Sequence, residues 1–358
     1  MNQSLASQQT ITTGGTTMNY SLHTIGLRKQ LYNLRDYCDT IERLYNNARG
    51  RYKVFPDNKR LDYYATVFQD RGIRVILRKT KVGGYLIFIV SLNDLLGAEN
   101  KVELITPENL EAALDTADEM LVGEFGRGYS IDELELFRVD QCINVDVESE
   151  ENVREYIMQL YRSDMKLGYK VCVPETPDFS VTKGFTARNL TARTEISFYD
   201  KQSQLEQRSY DSEPADGILR VELRLLTRKT VEQYSRCCGT NRNKIAACMN
   251  NSRESILDTV KMLLIDADYY TIRKACSIVK KKVKNEKKRE RMLEMLRLTR
   301  KHFSVVKAKK KLFKNNPHLH HDYFDKMMEE FKAIGVNVVT LDKYSEVKFL
   351  PSLFRYLK

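Results

Sequence analysis

Three short segments of this 358-residue chain alternate apolar and polar residues with a period of two, and each places charged side chains on its polar face. In Phe137–Val147, residues Phe137, Val139, Ile143 and Val145 fall on one face, against Arg138, Asp140, Cys142, Asn144 and Asp146 on the other. In Arg193–Lys201 the polar set is Arg193, Glu195, Ser197, Tyr199 and Lys201, opposite Ile196 and Phe198. In Ile218–Leu225, Arg220, Glu222 and Arg224 oppose Leu219, Val221, Leu223 and Leu225. Successive side chains of a β-strand point to opposite faces, so these segments read as strands of a sheet with one apolar side. The ordinary fate of the other side is a solvated surface. The alternative is a site, in which Asp140 and Glu222 offer hard oxygen ligands to a divalent metal with Tyr199 beside them.

Around these strands the chain reads as α+β. Residues 19–28 form an expected first strand, and 29–48 have helical spacing, with Leu31, Leu34, Tyr37, Cys38, Ile41, Leu44 and Tyr45 on one stripe. Arg74–Leu77 and Tyr85–Leu92, separated by a turn at Lys81–Gly84, read as a hairpin. Thr106 and Pro107 suit the N-cap and first position of an acidic helix to about Leu121, followed by a loop over Val122–Tyr129. A second helix is expected from about Ser149 to Arg162, and Pro174–Lys183 as an irregular segment. From Ser252 helical spacing dominates to about Lys311. A last helix, about Asp322–Ile334, ends at Gly335 before a short strand at Val336–Thr340. The expected architecture is a central antiparallel sheet with helices packed on one face, followed by a mainly helical, basic C-terminal domain. The expected divisions are a disordered tail over 1–17, a first domain over 18–250 and a second over 251–358.

Composition enters through charge. The formal net charge is +11, and it is unevenly placed. Arg273–Lys314 carries 18 Lys/Arg against three acids, whereas Asn93–Glu155 carries four basic residues against 18 acidic ones. A chain so polarised presents one region to a polyanion, and a nucleic acid is the default partner. Lys280, Lys281, Lys282, Lys284, Lys287, Lys288 and Arg289 form the densest run, expected on an amphipathic helix laid on a duplex backbone; a solvated helix face is the plain alternative. Twenty tyrosines offer stacking surface for single-stranded DNA, although most are expected in the core. No apolar run approaches the roughly 18 residues of a membrane helix. The N-terminal stretch reads as a loose polar tail rather than a signal peptide, with Met18 as a candidate second start. Seven cysteines without a CxxC pair offer neither a zinc spacing nor a disulfide framework, and read as reduced, mostly buried thiols of a cytoplasmic protein. ATPase phosphate loops, nucleophile elbows and dinucleotide fingerprints have no match in the sequence.

Arg138-Val139-Asp140, then Phe198-Tyr199-Asp200-Lys201, then Leu219-Arg220-Val221-Glu222-Leu223-Arg224 resemble, in order and spacing, a set of elements in rolling-circle replication initiators. The likeness is to the filamentous-phage gene II type, the phage replication-associated or CRI domain family, related to plasmid initiators and relaxases. In that family an Arg-hydrophobic-Asp strand is followed by a helix, a Tyr-x-Lys segment and an Arg-hydrophobic-Glu strand. The good match covers about 130–235, and the rest is similar in layout only.

The resemblance implies a palm of the HUH/relaxase kind. It implies a replication initiation protein that nicks one DNA strand at an origin, keeps the 5′ phosphate as a phosphotyrosine ester and later rejoins the strand. Residue by residue, it makes Tyr199 the nucleophile with Lys201 as its catalytic companion, Asp140 and Glu222 ligands of Mg²⁺ or Mn²⁺, and Arg138 and Arg220 DNA contacts. The implied partners are origin duplex and single-stranded DNA, and a contact to a host helicase or polymerase is an alternative use of the basic C-terminal run. The chemistry suits these residue types, because a phenol with a pKa of about 10 is a poor nucleophile until a cation activates it. A non-catalytic DNA-binding regulator on the same fold, and the relaxase of a conjugative element, are the alternative readings. The chain departs from plasmid initiators and relaxases in lacking their His-hydrophobic-His metal motif. His23, on the expected first strand, reads more readily as a solvated or core histidine than as a ligand, and His318–His321 falls in a loop that opens a helix. Tyr210 and Tyr234 sit in no matching motif, so a second nucleophile is not designated.

Overall fold

The computed structural model describes residues 12–13, 16–17, 20–47, 62–68, 71–97, 101–163, 169–172, 183–320 and 322–358. Of the expected tail, only Thr12–Thr13 (β1) and Thr16–Thr17 (β2) are among them, as a small antiparallel pair. Met18, His321 and most of the expected irregular segment at 174–183 lie outside the described residues.

One nine-stranded antiparallel sheet organises the molecule. Its strands are β3 (Ser21–Leu31), β4 (Asp62–Phe68), β5 (Ile73–Lys79), β6 (Gly84–Ser91), β7 (Glu135–Asp146), β8 (Tyr169–Val171), β9 (Gly184–Asn189), β10 (Thr194–Asp200) and β11 (Ile218–Leu225). They lie in the order β4-β5-β6-β3-β7-β11-β10-β9-β8. The helices of the first part are α1 (Leu34–Asn47), α2 (Leu92–Leu95), α3 (Pro107–Phe125), α4 (Glu150–Arg162), α5 (Lys201–Glu206), α6 (Arg228–Ser235) and α7 (Asn241–Asn250). Then come α8 (Ser252–Leu263), β12 (Tyr269–Tyr270), α9 (Ile272–Lys282), α10 (Glu286–His302), α11 (Val305–Asn315), α12 (Tyr323–Ala333), β13 (Phe349–Leu350) and α13 (Phe354–Leu357). The fold is thus α+β with a central antiparallel sheet and a helical C-terminal part.

Alternation decides which face is covered. Val139, Ile143 and Val145 of β7, Ile196 and Phe198 of β10, and Leu219, Val221, Leu223 and Leu225 of β11 are all buried on one side. Helices α4, α6, α7 and α8 pack against these strands. Each such side chain contributes roughly 1.5–3 kcal/mol on leaving water, which locks the register. A buried hydrogen bond from Gln141 Nε2 to the Cys248 carbonyl, 2.6 Å long, ties β7 to α7.

Several local expectations give way to tertiary pairing. The helix expected from residue 29 begins at Leu34, because Arg28, Gln30 and Leu31 stay in the ladder opposite Ile87, Tyr85 and Gly84. Helix α3 passes through the expected loop at Val122 to bury Phe125, and stops where Gly126 takes a positive φ. Val336–Thr340 is not a strand; Val336 and Leu341 make isolated bridges to Asp268 and Thr271. Only Cys142 and Cys248 are buried, while Cys38, Cys172 and Cys238 are exposed. The basic run does not form one helix. Val283 is buried between α9 and α10, and Asn285 caps α10 by accepting from the Lys288 amide at 3.0 Å.

Two irregularities in the β3–β7 ladder redirect the side chains around its middle. Leu22 opposes Gln141 and Thr24 opposes Asp140, which leaves His23 as an extra residue on β3. Such a bulge re-aims side chains, and here it brings His23 and Thr24 to the same face. Further along, Gly26 opposes Arg138 and Leu27 opposes Leu136, so Phe137 is the extra residue on β7. Phe137, expected on the inner face, is therefore half-exposed beneath the Arg28 guanidinium, and Leu136 takes the buried place. Gly26 makes the second irregularity possible, since a Cβ there would lie 2.8 Å from the Arg138 Cβ and 3.0 Å from the Phe137 ring. Gly26→Ala is expected to lower stability by about 1–3 kcal/mol, read as a lower urea midpoint at unchanged slope.

Candidate active site

The polar faces of β3, β7, β11 and β10 meet, and they are not a wet surface. Asp140, Glu195, Lys201, Arg220 and Glu222 are all buried, Arg220 completely. Charges removed from water persist only when paired, so their partners define the site.

The strand register supplies those partners. Arg224 lies opposite Asp140 on one side and Glu195 on the other, Tyr199 lies opposite Arg220, and Glu195 also faces Arg188 of β9. Arg138 grips Asp140 with two hydrogen bonds, Nε to Oδ1 at 2.8 Å and Nη2 to Oδ2 at 2.5 Å. Glu222 Oε1 accepts from the Tyr199 hydroxyl at 2.5 Å, and its Oε2 accepts from Arg224 Nη2 at 3.0 Å. His23 Nδ1 stands 3.8 Å from Glu222 Oε1 and 2.9 Å from the Thr24 hydroxyl. Arg224 Nη1 donates to Glu195 Oε1 at 2.7 Å, and Arg188 Nε to Glu195 Oε2 at 2.8 Å. Arg220 Nε donates to the Asn144 side chain.

The pairing sets the ionisation of each group. Burial works against the Glu222 carboxylate, but His23, Arg224, Arg220 and the Tyr199 hydroxyl outweigh it and hold its pKa at about 2. Burial pushes Asp140 up, against the pull of Arg138. Burial likewise drives His23 down to about 4, with Glu222 opposing, so its imidazole is neutral at pH 7. Burial, Glu222 and the hydrogen bond to it keep the Tyr199 phenol protonated well above its ordinary range. The Lys201 amine is pushed down to about 7, first by burial and then by Arg220.

Arg138, Asp140, Tyr199, Lys201, Arg220 and Glu222 therefore converge, but two residues of the expected polar faces are placed differently from the alternation. Lys201 is not on the strand; Asp200 accepts the Ser203 amide at 3.2 Å and so caps a helix whose first residue is Lys201. Its amine turns inward and donates to Gln204 Oε1 at 2.8 Å. Arg193 sits in the preceding turn with φ of 55°. Arg220, expected as a DNA contact, has no exposed surface, and its Nη1 lies 3.9 Å from Glu222 Oε1. Lys280, Lys281, Lys282, Lys284, Lys287, Lys288 and Arg289 lie in a different part of the fold, on α9, α10 and the turn between them. Lys282 donates to the Ile334 carbonyl at 2.8 Å, and Lys288 pairs with Glu330. Lys280, Lys281, Lys284 and Lys287 are exposed.

His23 lies on the first strand as expected, but beside Glu222 rather than as the solvated or core histidine of the readier reading. Donor atoms of His23, Asp140 and Glu222 lie within 4.8 Å of one another, and this is the one such cluster among the described residues. An imidazole with two carboxylates is a donor set that fits Mn²⁺ or Mg²⁺. Glu195 and Arg224 complete the surroundings; both belonged to the expected polar faces, without an assigned role.

Comparison with known proteins adds little to this geometry. Neither a protein-family model nor a curated protein matches the chain. Among solved structures it is similar to a rolling circle replication initiator protein from Geobacillus stearothermophilus. The identity is 10% and the TM-score 0.32, over 69% of this chain and 85% of that one. Among the described residues, no helix is long and apolar enough to cross a membrane.

Lys201 gives the site a stability signature. The unfolded chain holds its proton up to about 10.5 and the folded protein only to about 7, so in that interval folding releases a proton and stability rises with pH. Urea midpoints of the native protein are expected to climb from pH 7 upward, and Lys201→Met is expected to flatten that rise.

Proposed function

We propose that this chain is a rolling-circle replication initiator that breaks and rejoins one DNA strand through Tyr199, with a divalent ion held by His23, Asp140 and Glu222. The observation that carries the reading is the Tyr199 hydroxyl bonded at 2.5 Å to a buried carboxylate, inside a ring of cationic side chains. A solvated sheet face needs no such arrangement, and a pure DNA binder needs no phenol bonded to a buried carboxylate.

In the proposed reaction Tyr199 Oη attacks the scissile phosphorus as its proton leaves along the hydrogen bond to Glu222, whose carboxyl, with its pKa held at about 2, passes it on to water rather than keeping it. The P–O3′ bond breaks, the 3′ oxygen leaves and takes up a proton from water, and a 5′-phosphotyrosine ester remains. The ester keeps the energy of the broken bond, so the reverse attack by a 3′-OH rejoins the strand without a nucleotide cofactor. When bound, the divalent ion supplies positive charge to the scissile phosphate. Arg138 orients Asp140, Arg224 holds Glu222 in the protein without DNA, and Arg220 with Lys201 lays positive charge near the phenol, where negative charge develops. The exposed lysines of α9 and α10 supply a surface for duplex phosphates, distant in sequence from the tyrosine.

Incubation with DNA of its own replicon and Mn²⁺ is expected to yield DNA covalently attached to a Tyr199 peptide, seen by denaturing gel and peptide mass spectrometry. Tyr199→Phe is expected to abolish the adduct and retain binding; an undiminished nick by that variant would sink the assignment. Asp140→Ala and Glu222→Ala are expected to lose metal-dependent cleavage. Reversing the charge of Lys280, Lys281, Lys284 and Lys287 is expected to weaken binding and to reduce its salt slope by about one for each phosphate no longer neutralised, leaving the attachment residue unchanged.

A further inference from the structure

The ligand atoms that would hold the ion are already engaged. Both Asp140 oxygens accept from Arg138, and Glu222 gives one oxygen to Tyr199 and the other to Arg224. His23 Nδ1 is paired with the Thr24 hydroxyl. Around the two carboxylates stand three guanidiniums, Arg138, Arg220 and Arg224, with Lys201 beside them. The third carboxylate, Glu195, is divided between Arg224 and Arg188. Positive charge is therefore in excess before any metal arrives, whereas sites for hard cations are ordinarily built from oxygen ligands with carboxylates in excess.

The unspent hydrogen-bonding capacity has the same sign. Arg220 Nη1, Arg220 Nη2 and Arg224 Nε are buried donors without a hydrogen-bond partner. Buried donors ordinarily find acceptors, and the carboxylates facing Arg220 Nη1 and Arg224 Nε stand 3.9 Å away, outside hydrogen-bond reach. Two of its arginines reach solvent, Arg138 with 23% and Arg224 with 28% of the side chain exposed, and His23 with 21% opens beside them. Arg224 is the shared element: it lies 3.0 Å from Glu222, 3.9 Å from Asp140 and 2.7 Å from Glu195.

The geometry points to a pocket that takes up its divalent ion only together with a phosphodiester, with Arg224 as the positioning residue that couples the two. This rests on the metal-assisted reading given above. A phosphate brings the negative charge that the guanidiniums lack. As Arg224 turns to it, Glu222 Oε2 is released to the ion, whose charge the same phosphate offsets. By linkage, DNA and ion raise each other's affinity by one common factor. The protein without DNA then holds little metal.

Binding of Mn²⁺ to the full-length protein, followed by loss of the free-ion electron paramagnetic resonance signal, tests this with and without a short oligothymidylate. The His23→Ala protein, measured in parallel, removes the contribution of ion bound to the DNA itself. Oligothymidylate is expected to tighten His23-dependent Mn²⁺ binding at least about tenfold, and Mn²⁺ to tighten oligothymidylate binding by the same factor. Arg224→Gln is expected to bind Mn²⁺ alone more tightly than the native protein and to lose most of the coupling, while Arg224→Lys keeps it. Should Arg224→Gln fail to fold by circular dichroism, Arg138→Gln, which frees Asp140, is expected to show the same gain. His23-dependent Mn²⁺ binding that oligothymidylate does not change overturns the inference and leaves the metal-assisted reading standing. Absence of His23-dependent binding under both conditions overturns that reading, and the inference with it.

Discussion

Glu222 sits on β11, between β7 and β10, with its carboxylate almost wholly buried. Tyr199, Arg224, His23 and Arg220 approach it from three strands, and each position is set by the pairing that puts β11 in the middle of the group. Removing one member of such a network leaves a buried charge without compensation, at about 3–5 kcal/mol. Replacing the whole network with packed apolar side chains would often be neutral or stabilising. The apolar face of the same strands makes the sheet; its polar face is tolerated by the sheet. That asymmetry is the reason to read the polar face as function.

The legible and illegible parts of the sequence divide along the same line. The bounds of β11 and the Ser149 cap of α4, which accepts the Asn152 amide, come from local chemistry alone. Alternation also brings Arg138, Asp140, Tyr199 and Glu222 to one face, because residues two apart on a strand share a side wherever the strand lies. What alternation cannot carry is a change of phase. The bulges at His23 and Phe137 each shift the pleat by one residue; Gly26 inside β3 hints at the second, and nothing in the local composition marks the first. Lys201 left its strand for a similar reason, since Asp200 is as good a helix cap as it is a strand residue. The solvated reading of the polar face failed because burial of that face depends on which strands meet, and pairing is invisible in any one of them.

The basic C-terminal region teaches a different lesson about charge. The run from Lys280 to Arg291 has the density expected of a phosphate-binding helix, yet Val283 and Asn285 divide it between two helices. Lys282, Lys288 and Arg289 then make internal contacts to Ile334, Glu330 and Val283. Lys282 and Lys288 each tie the α9–α10 corner to α12 or the residue after it. A run of like charges thus serves partly to hold the corner together.

The bulge at His23 also says something about how such a site sits in a sheet. On either side of it the β3–β7 ladder is in step: Leu22 meets Gln141, Thr24 meets Asp140, and no pair is missing between them. The extra residue is surplus to the hydrogen-bonding scheme, so the sheet has no use for it. A chain shorter by that one residue would have the more regular ladder and no imidazole beside Glu222. The group of His23, Asp140 and Glu222 thus depends on a single amino acid that the ladder does not count.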